Sequence, residues 1–444
     1  MSSTTTRPNR LAALVAGAFV FATLCGHAGR ADAATVTVTN CNDSGPGSLR
    51  NAVARAHSGD LVGLRRLRCT IVLTRGAIQI PQQDLALVGR GAGALTITSQ
   101  NQSRILSHQG TGTLRLASLS IEDGRQSSET YAEGGCIYSA GNVSLQHARV
   151  QRCNASGYAA PGCDGPGCSS SWGGAISASG NVRMSYSTVS DSSASDYDSQ
   201  GGGIYANELR MFRSRLLRNY GNFSGGAQVY RFIALGSVIA DNESGSYGAG
   251  GVQVGYPSGV GSGPADVRDS TFVGNTSGSL CSALCAGDAL IVNSTFTRNV
   301  ASYWFAIAVT DGSIVNSTVA GNSTQVPYSC SGAVRATTLY LESTIVAGNP
   351  CGTGVMDLAS VGSLTGTHNL VGVASIPLPP GTLRGDPLLA PLDFNGGYTP
   401  TRALRVGSPA IDRGNNPLEL EYDQRGPGFP RVKGAAADIG AFER

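Results

Sequence analysis

A short stretch of alternating polar and apolar residues recurs along the chain and ends each time in a polar turn residue. Its consensus is Ser-Thr-apolar-x-x-Asn, with close variants, and successive end positions are 23 to 33 residues apart. The occurrences are Ser187–Ser192, Ser214–Asn219, Ser237–Asn242, Ser270–Asn275, Ser294–Asn299, Ser317–Asn322 and Ser343–Asn349. A repeat of this length is typical of solenoids, in which each repeat forms one coil of a stack.

The alternation also predicts where the side chains point. Successive residues of a strand face opposite sides, so Ser270 and Phe272 face inward while Thr271 faces outward, onto a pleat exposed to solvent. Asn275 follows where the chain must turn, and Asn tolerates the left-handed backbone of such a turn. We therefore expect stacked coils to bring residues such as Phe272 and Phe296 into direct contact, and the Asn amides to form a hydrogen-bonded ladder.

A second phrase, Gly-Gly followed by a short apolar alternation, marks another corner of the coil. Paired glycines permit a tight turn with positive φ and close stacking of neighbouring backbones. The phrase occurs at Gly134–Tyr138, Gly173–Ile176, Gly202–Tyr205, Gly225–Val229 and Gly250–Val254. A middle strand lies between the two phrases, for example Val182–Met184. Three short strands per coil predict an all-β fold, a right-handed parallel β-helix of about ten or eleven coils with capped ends.

Both ends of the chain carry sequences that predict caps, since an open solenoid end exposes unpaired strand edges. The amphipathic stretch Leu49–Ala56 covers one end, and a charge-rich segment is expected to cover the other as an ion-paired cap, with a ligand or metal site as the alternative. The predicted boundaries are 1–33 for a signal peptide, 34–69 for the N-terminal cap, 70–395 for the β-helix and 396–444 for the closing segment. The charged residues of the closing segment are Asp412, Asp423, Arg425, Arg431, Asp438 and Glu443.

The start of the chain predicts export. Arg7 and Arg10 form a positive region, Leu11–Leu24 is an apolar stretch too short to span a bilayer stably, and Ala31–Ala33 is a small-x-small cleavage site. No later apolar run is long enough for a transmembrane helix. We expect an exported protein, located in the periplasm, at the cell surface or outside the cell, with no membrane insertion once the signal is removed.

Removal of the signal takes away Cys25 and leaves ten of the eleven cysteines, an even number that suits disulfides in an exported protein. Neighbouring cysteines predict local pairs, although spacing alone does not fix the pairing. The pairs are Cys41–Cys69, Cys136–Cys153, Cys163–Cys168, Cys281–Cys285 and Cys330–Cys351. No CxxC doublet occurs and only five His are present, so we expect neither a metal nor a cofactor.

Charge is scarce in this chain. Charged residues make up 14% of it, against about 25% in ordinary globular domains. A net charge of +3 is too small to indicate a nucleic-acid partner. Lining up the coils places Arg152, Asp191, Arg218 and Asp241 just before the turn position of successive coils. We predict a surface ladder of opposite charges there, which supports the register and is not a site.

The repeats and both ends resemble known families. The Gly-Gly-Ala-Ile and Phe-x-x-Asn phrases resemble the repeats of polymorphic outer-membrane proteins, which are β-helical surface adhesins. Asn40–Leu64 resembles the opening segment of exported bacterial β-helix repeat proteins, with matches at Ser48–Arg50, Ala52, Ala56, Gly59 and Asp60. Gly407–Glu443 resembles the choice-of-anchor Q domain, with matches at Ser408–Asp412, Asp423, Arg425–Gly426, Arg431, Asp438–Ala441 and Glu443.

These resemblances imply a surface or secreted role and bring no catalytic residues with them. The 444 residues contain neither the further C-terminal domain of the first family nor the apolar sorting tail of the last. We therefore expect export into the periplasm or medium rather than covalent anchoring.

Parallel β-helices often host polysaccharide lyases and hydrolases, so enzyme chemistry is the alternative. A lyase needs a strong base, and the single Lys, Lys433, lies off the solenoid. An inverting hydrolase needs two carboxylates roughly 6.5–9.5 Å apart. The best acidic cluster is one that adjacent coils could bring together, and we interpret it as solvated turn residues, with a catalytic or calcium site as the alternative. Its members are Asp191, Asp196, Asp198, Asp241 and Glu243.

One column after the Gly-Gly corner favours binding, and two registers for it stay open. If its glutamines face outward, the column is an exposed stripe beside Tyr138 and Tyr205 that could accept an extended glycan or peptide. In the other register its isoleucines lie in the core and its glutamines form an internal ladder. The members are Ile137, Ile176, Ile204, Gln228 and Gln253.

The sequence thus predicts a monomeric, non-enzymatic protein that binds an extracellular polysaccharide or a surface protein. A lyase or hydrolase with a shallow groove along one sheet is the alternative. No catalytic, metal or cofactor-binding residue is assigned.

Overall fold

The computed structural model describes residues 33–157, 169–255, 261–325, 330–352 and 354–444. Residues 34–444 form one unit built almost wholly of β-strands, with a single α-helix, Leu49–Arg55, among the described residues. The predicted signal peptide and the Cys163–Cys168 pair lie outside the described residues and stay predictions. No described helix has the length and apolar character needed to cross a membrane.

The strands stack into three long sheets that form a parallel solenoid of about 12 turns. The 13-stranded sheet contains Cys69–Val72, Leu95–Thr98, Ser120–Glu122, Arg149–Gln151, Thr188–Ser190, Arg215–Leu217, Val238–Ala240, Thr271–Val273, Thr295–Thr297, Thr318–Ala320, Ile345–Ala347, Leu370–Val371 and Leu383–Arg384. The predicted parallel β-helix is confirmed. The number of turns is slightly higher than the ten or eleven predicted.

A 20-stranded sheet holds the strands that follow the Gly-Gly corner together with the middle strands. Its members are Thr35–Thr37, Leu61–Gly63, Ile78–Ile80, Leu85–Val88, Leu106–His108, Thr113–Ala117, Ile137–Ser139, Asn142–Gln146, Ile176–Ala178, Asn181–Ser185, Ile204–Phe212, Ala227–Leu235, Val252–Val254, Ala265–Arg268, Cys281–Cys285, Asp288–Val292, Phe305–Ala308, Asp311–Val315, Val334–Glu342 and Leu358–Thr365. Where no turn separates the two positions, one long strand of eight or nine residues passes through both.

A fourth strand position, absent from the predicted three per coil, follows the turn Asn and forms a 10-stranded sheet. Most of its strands are two residues long, which explains why periodicity does not reveal them. They are Arg125–Ser128, Asn154–Gly157, Ser193–Ala194, Tyr220–Gly221, Glu243–Ser244, Thr276–Ser277, Val300–Ala301, Ser323–Thr324, Pro350–Cys351 and Gly354–Val355. Two small sheets complete the structure, Tyr131–Glu133 with Ser170–Trp172, and Leu389–Asp393 with Thr401–Leu404.

Inside the coils, side chains two dozen positions apart stack directly. Phe272 pairs in register with Phe296, which in turn pairs with Val319, and all three are fully buried. The two phenyl rings lie parallel, with centroids 4.6 Å apart and planes 8° apart. The predicted vertical contact between coils is confirmed.

A ladder of buried Asn side chains holds the coils together, as the sequence predicts. Each Nδ2 donates to the Oδ1 of the Asn in the next coil over 2.8–3.0 Å, and the ladder ends where the Asp357 carboxylate accepts from Asn349. The left-handed backbone conformation belongs to the residue before each Asn, for example Arg218 with φ 50°. This corrects the prediction, and it turns the Asn inward. The ladder is Asn219, Asn242, Asn275, Asn299, Asn322 and Asn349.

Two arginines just before the turn position form ion pairs with carboxylates of the preceding coil. Arg218 Nε lies 2.6 Å from Asp191 Oδ1, and Arg152 Nε lies 2.7 Å from Asp123 Oδ1. Of the predicted ladder, the pair of Asp191 with Arg218 is present, whereas Arg152 pairs with Asp123 and Glu122 instead of Asp191. Four predicted disulfides are also present: Cys41–Cys69, Cys136–Cys153, Cys281–Cys285 and Cys330–Cys351.

The N-terminal cap is the helix Leu49–Arg55, whose Leu49, Ala52 and Val53 are buried on the first coils. Ser48 caps it by accepting a hydrogen bond from the Asn51 amide over 3.2 Å. At the other end of the solenoid, the partly buried Ala374, Ile376 and Leu378 pack against the core.

The closing segment lies along the side of the solenoid, not over its open end as predicted. Thr271 Oγ1 donates to the Pro400 carbonyl over 2.7 Å, and Thr295 Oγ1 bonds to Gln424 Oε1 over 2.6 Å. These threonines do face outward, yet they are buried rather than exposed, because the segment covers this part of the 13-stranded sheet. Its predicted ion pairs are present, Arg431 with Glu443 at 3.0 Å and Arg425 with Asp423 at 2.6 Å.

Candidate ligand-binding face

The acidic residues singled out by sequence do not form one site. Asp191 is paired with Arg218. Burial raises the pKa of the Asp191 carboxyl, but the hydrogen bonds from Arg218 and Ser190 lower it more, so that this pKa lies below its usual value. Asp196 lies at another corner, where its Oδ2 accepts from the Gly157 amide over 2.6 Å and burial raises its pKa. Within the described ranges, no group of three or more His, Cys, Asp or Glu is arranged to hold a metal ion.

The column after the Gly-Gly corner is also corrected. Ile137, Ile176 and Ile204 pair in register and are buried in the core, and Ala227 continues their column. Gln228 belongs to the adjacent column, opposite Tyr205. The residues predicted as one column therefore belong to two columns, and the outward one runs through Tyr138, Ser177, Tyr205, Gln228 and Gln253. Its glutamines are buried, so the predicted exposed stripe of glutamines is wrong.

A run of aromatic side chains lies over this outward column, and we call Tyr131, Trp172, Tyr205 and Tyr230 the aromatic cluster. The Tyr131 and Trp172 rings have centroids 5.7 Å apart, and Trp172 stacks on Tyr205 at 5.5 Å with planes 18° apart. Burial raises the pKa of Tyr205 to about 12, helped by its hydrogen bond to the Tyr230 side chain. The ends of the run are open to solvent, with Tyr131 61% and Tyr230 47% exposed.

Polar groups lie beside the aromatic cluster. Ser177 Oγ donates to Glu133 Oε1 over 3.4 Å, and burial raises the pKa of Glu133 above its usual value. The Arg104 guanidinium lies 5.2 Å from the centre of the Tyr138 ring and donates to the Gly134 carbonyl over 3.0 Å. Glu133 can therefore hold a proton at a higher pH than an exposed carboxyl does.

The middle strands of the same coils form a groove that we call the arginine groove. It encloses about 200 Å³ and is lined by Thr113, Arg115, Asn142, Val143, Ser144, Asn181 and Arg183. Arg115 pairs in register with Ser144, which pairs with Arg183. Both arginines are exposed. The next residue in the column, Arg210, pairs with Glu208 of its own strand.

A second cavity of about 300 Å³ lies where the closing segment meets the solenoid. The Arg213 guanidinium lies 3.7 Å from the centre of the Tyr398 ring at its wall. Burial raises the pKa of Asp269 to about 6, although Asn293 donates to this carboxylate over 2.9 Å.

The sequence predicts Tyr138 and Tyr205 as possible flanking residues of a binding stripe, and it assigns no arginine to a site. Aligning the middle strands would have found the arginine groove, because TLRLA, NVSLQ, NVRMS and ELRMF place Arg115, Ser144, Arg183 and Arg210 at one position. No comparable signal marks Tyr131 and Trp172, which lie on a two-stranded sheet outside the repeat.

Comparisons with known proteins leave the family open. No family model and no curated protein matches this chain. Among solved structures, the chain is similar to the crystal structure of pectate lyase Pel9A, with 14% sequence identity, a TM-score of 0.40, and coverage of 93% of this chain and 98% of that one. No activity follows from similarity at this level, and the resemblances to polymorphic outer-membrane proteins and to the choice-of-anchor Q domain stay predictions.

Proposed function

We propose that this protein is an exported, non-catalytic binding protein for an extended polysaccharide, which lies across the coils on the outer face of the 20-stranded sheet. The observation that carries the proposal is the aromatic cluster. In it exposed Tyr131 contacts Trp172, Trp172 stacks on Tyr205, and the Tyr205 side chain hydrogen-bonds to that of exposed Tyr230. Aromatic rings present a negative face, against which the polarised C–H groups of a sugar ring pack.

The scaffold suits this role because it is already ordered before the ligand arrives. Tyr205 and Tyr230 sit on the long strands Ile204–Phe212 and Ala227–Leu235, which pair with each other over eight residue positions. A ligand that binds a preformed surface orders few side chains, so little affinity is lost to conformational entropy.

The test is a binding measurement on the purified protein against a panel of soluble neutral and acidic polysaccharides by affinity gel electrophoresis. Tyr131→Ala should weaken binding about three- to tenfold, since stacked aromatic contacts contribute about 0.5–1.5 kcal/mol. The matched control is Tyr247→Ala, because Tyr247 is 49% exposed and also stacks on one aromatic ring, that of Phe223, at 5.5 Å. Equal effects of the two variants, or no polysaccharide bound by the unaltered protein, would refute the proposal.

A polysaccharide lyase or hydrolase is the second candidate, favoured by the raised pKa of Glu133 beside the aromatic cluster. Hydrolysis in the usual mechanisms requires a second carboxyl group opposite the first. Incubation with the same panel, followed by ultraviolet absorbance for unsaturated products and by a reducing-end assay, separates the candidates. If the unaltered protein forms products and Glu133→Gln does not, the protein is an enzyme and the proposal of a non-catalytic binding protein is wrong.

A further inference from the structure

We infer that the arginine groove is an anion subsite, so that the polysaccharide bound on this face is an acidic one whose carboxylate or sulfate groups lie between Arg115 and Arg183. The inference rests on the proposed function and names its ligand class. It is drawn from the register of the middle strands and from the distribution of charge along one column of outward positions.

The two guanidinium groups are placed to act together. Arg115, Ser144 and Arg183 occupy equivalent outward positions on three consecutive parallel strands. The two arginines are therefore two strand spacings apart, about 9.6 Å at the backbone. The small Ser144 between them leaves the groove open.

The positive charge of the groove is not neutralised by the protein. Arg115 and Arg183 form no ion pair within the described part of the chain. The arginines of the following coils are neutralised instead. Arg210 pairs with Glu208, and Arg231 Nε lies 3.6 Å from Oε2 of the same carboxylate. In a chain with 14% charged residues, these two uncompensated arginines leave the groove positively charged.

The groove also offers hydrogen-bonding groups for the hydroxyls beside an anionic group. Asn142 is held in place, since its Oδ1 accepts from the Asn181 amide over 2.9 Å and its Nδ2 donates to the Gly112 carbonyl over 3.3 Å. The Ser144 hydroxyl makes no hydrogen bond to other described residues and remains available. Guanidinium groups stay protonated at all working pH values and bind oxyanions through two parallel hydrogen bonds.

The groove and the aromatic cluster belong to the same coils. Asn142–Gln146 follows Ile137–Ser139 along the chain, and Asn181–Ser185 follows Ile176–Ala178. The outward residues of these earlier strands include Tyr138 and Ser177, which lie beside the cluster. A polymer stacked on the aromatic rings can therefore continue along the same coils and place an acidic sugar in the groove.

The experiment compares two double variants of the full protein. Arg115→Gln with Arg183→Gln removes the groove charges. Arg149→Gln with Arg215→Gln is the matched control, because these two arginines are also exposed, unpaired and two strands apart, with Thr188 between them, on the 13-stranded sheet. Both variants lower the net charge by the same amount, and thermal unfolding verifies that each is folded.

The probes are polygalacturonate, dextran sulfate and neutral dextran. The groove variant should lose at least about tenfold in affinity for the acidic polymers, with a weaker dependence on salt, while the control variant stays within about twofold of the unaltered protein. A loss confined to polygalacturonate assigns the anion to a carboxylate, and a loss confined to dextran sulfate assigns it to a sulfate; either outcome supports the subsite.

The inference is overturned if both double variants lose affinity equally, or if the unaltered protein binds neutral dextran as tightly as the acidic polymers. Failure of the inference alone is recognisable, because Tyr131→Ala would still weaken binding while the groove variant would not. If the unaltered protein binds no polysaccharide, the proposed function fails and the subsite fails with it.

Discussion

Replacing Asn299 by Ala interrupts the ladder in its middle and tests whether the ladder stabilises the stack. The side chain takes part in four hydrogen bonds. Its Nδ2 donates to Asn322 Oδ1 over 2.8 Å and to the Phe272 carbonyl over 3.0 Å, and its Oδ1 accepts from the amide and the Nδ2 of Asn275 over 3.1 and 2.9 Å. At about 1 kcal/mol each, their loss lowers the free energy of unfolding by about 4 kcal/mol. Phe272 and Asn275 are also left with buried, unpaired polar groups, which adds to the cost.

The assay is guanidinium-induced unfolding followed by circular dichroism, with the midpoint and slope fitted for each variant. The control is Asn207→Ala, because Asn207 is exposed in the strand Ile204–Phe212, so that its replacement removes an Asn without touching the ladder. A loss below about 1 kcal/mol for Asn299→Ala, or a loss equal to that of the control, would show that water replaces the ladder bonds at no cost.

Three further predictions follow from the same contacts. Because burial raises the pKa of Asp269 from 3.8 to about 6, the folded state loses stability as the pH rises from about 4 through about 6, and Asp269→Asn should flatten this dependence in thermal unfolding between pH 4 and 8. Arg218→Ala should cost only about 0.2–1 kcal/mol, measured by denaturant unfolding, since its pair with Asp191 is partly exposed. Replacing Cys136 and Cys153 by Ser should cost about 3 kcal/mol in the same assay, because the disulfide closes a loop of 17 residues.

The repeat was enough to predict the architecture, because the backbone hydrogen bonds of each strand are made to strands close by in the sequence. Each strand pairs with the equivalent strand of the next coil, so a period of about two dozen residues also fixes the contacts. Phe272 on Phe296 and Asn275 on Asn299 follow directly from spacing. Four disulfides follow as well, since each joins cysteines at most 28 positions apart.

The position of the closing segment could not be predicted in this way. Its contacts join residues that are far apart in sequence, such as Thr295 with Gln424, which are 129 positions apart. No period relates such pairs, and a charged segment fits an end cap as well as it fits the side of a sheet. Thr271 shows the consequence, because its outward direction was predicted correctly while its burial was not.

The candidate site could be predicted only in part, because its residues do not follow the repeat. Outward positions on a solenoid are free of the packing that forces Phe and Asn to repeat inside, so their chemistry changes from coil to coil. The arginine groove becomes visible once the middle strands are aligned to the residue. The aromatic cluster depends on Trp172, which reaches Tyr205 from a strand outside the repeat, and no alignment of coils would place it there.

The outer faces of the coil differ in how much surface they offer to a polymer. The closing segment covers part of the 13-stranded sheet, where Thr271 and Thr295 are buried, and the 10-stranded sheet consists mostly of two-residue strands. The 20-stranded sheet has long strands, and Ala227–Leu235 sets exposed Tyr230 directly beside exposed Arg231. An extended ligand on this face meets aromatic rings and arginines within the same few coils. If binding is confined to this face, substitutions at Tyr131 and in the arginine groove must weaken it. Substitution of the matched arginines on the 13-stranded sheet must leave it unchanged.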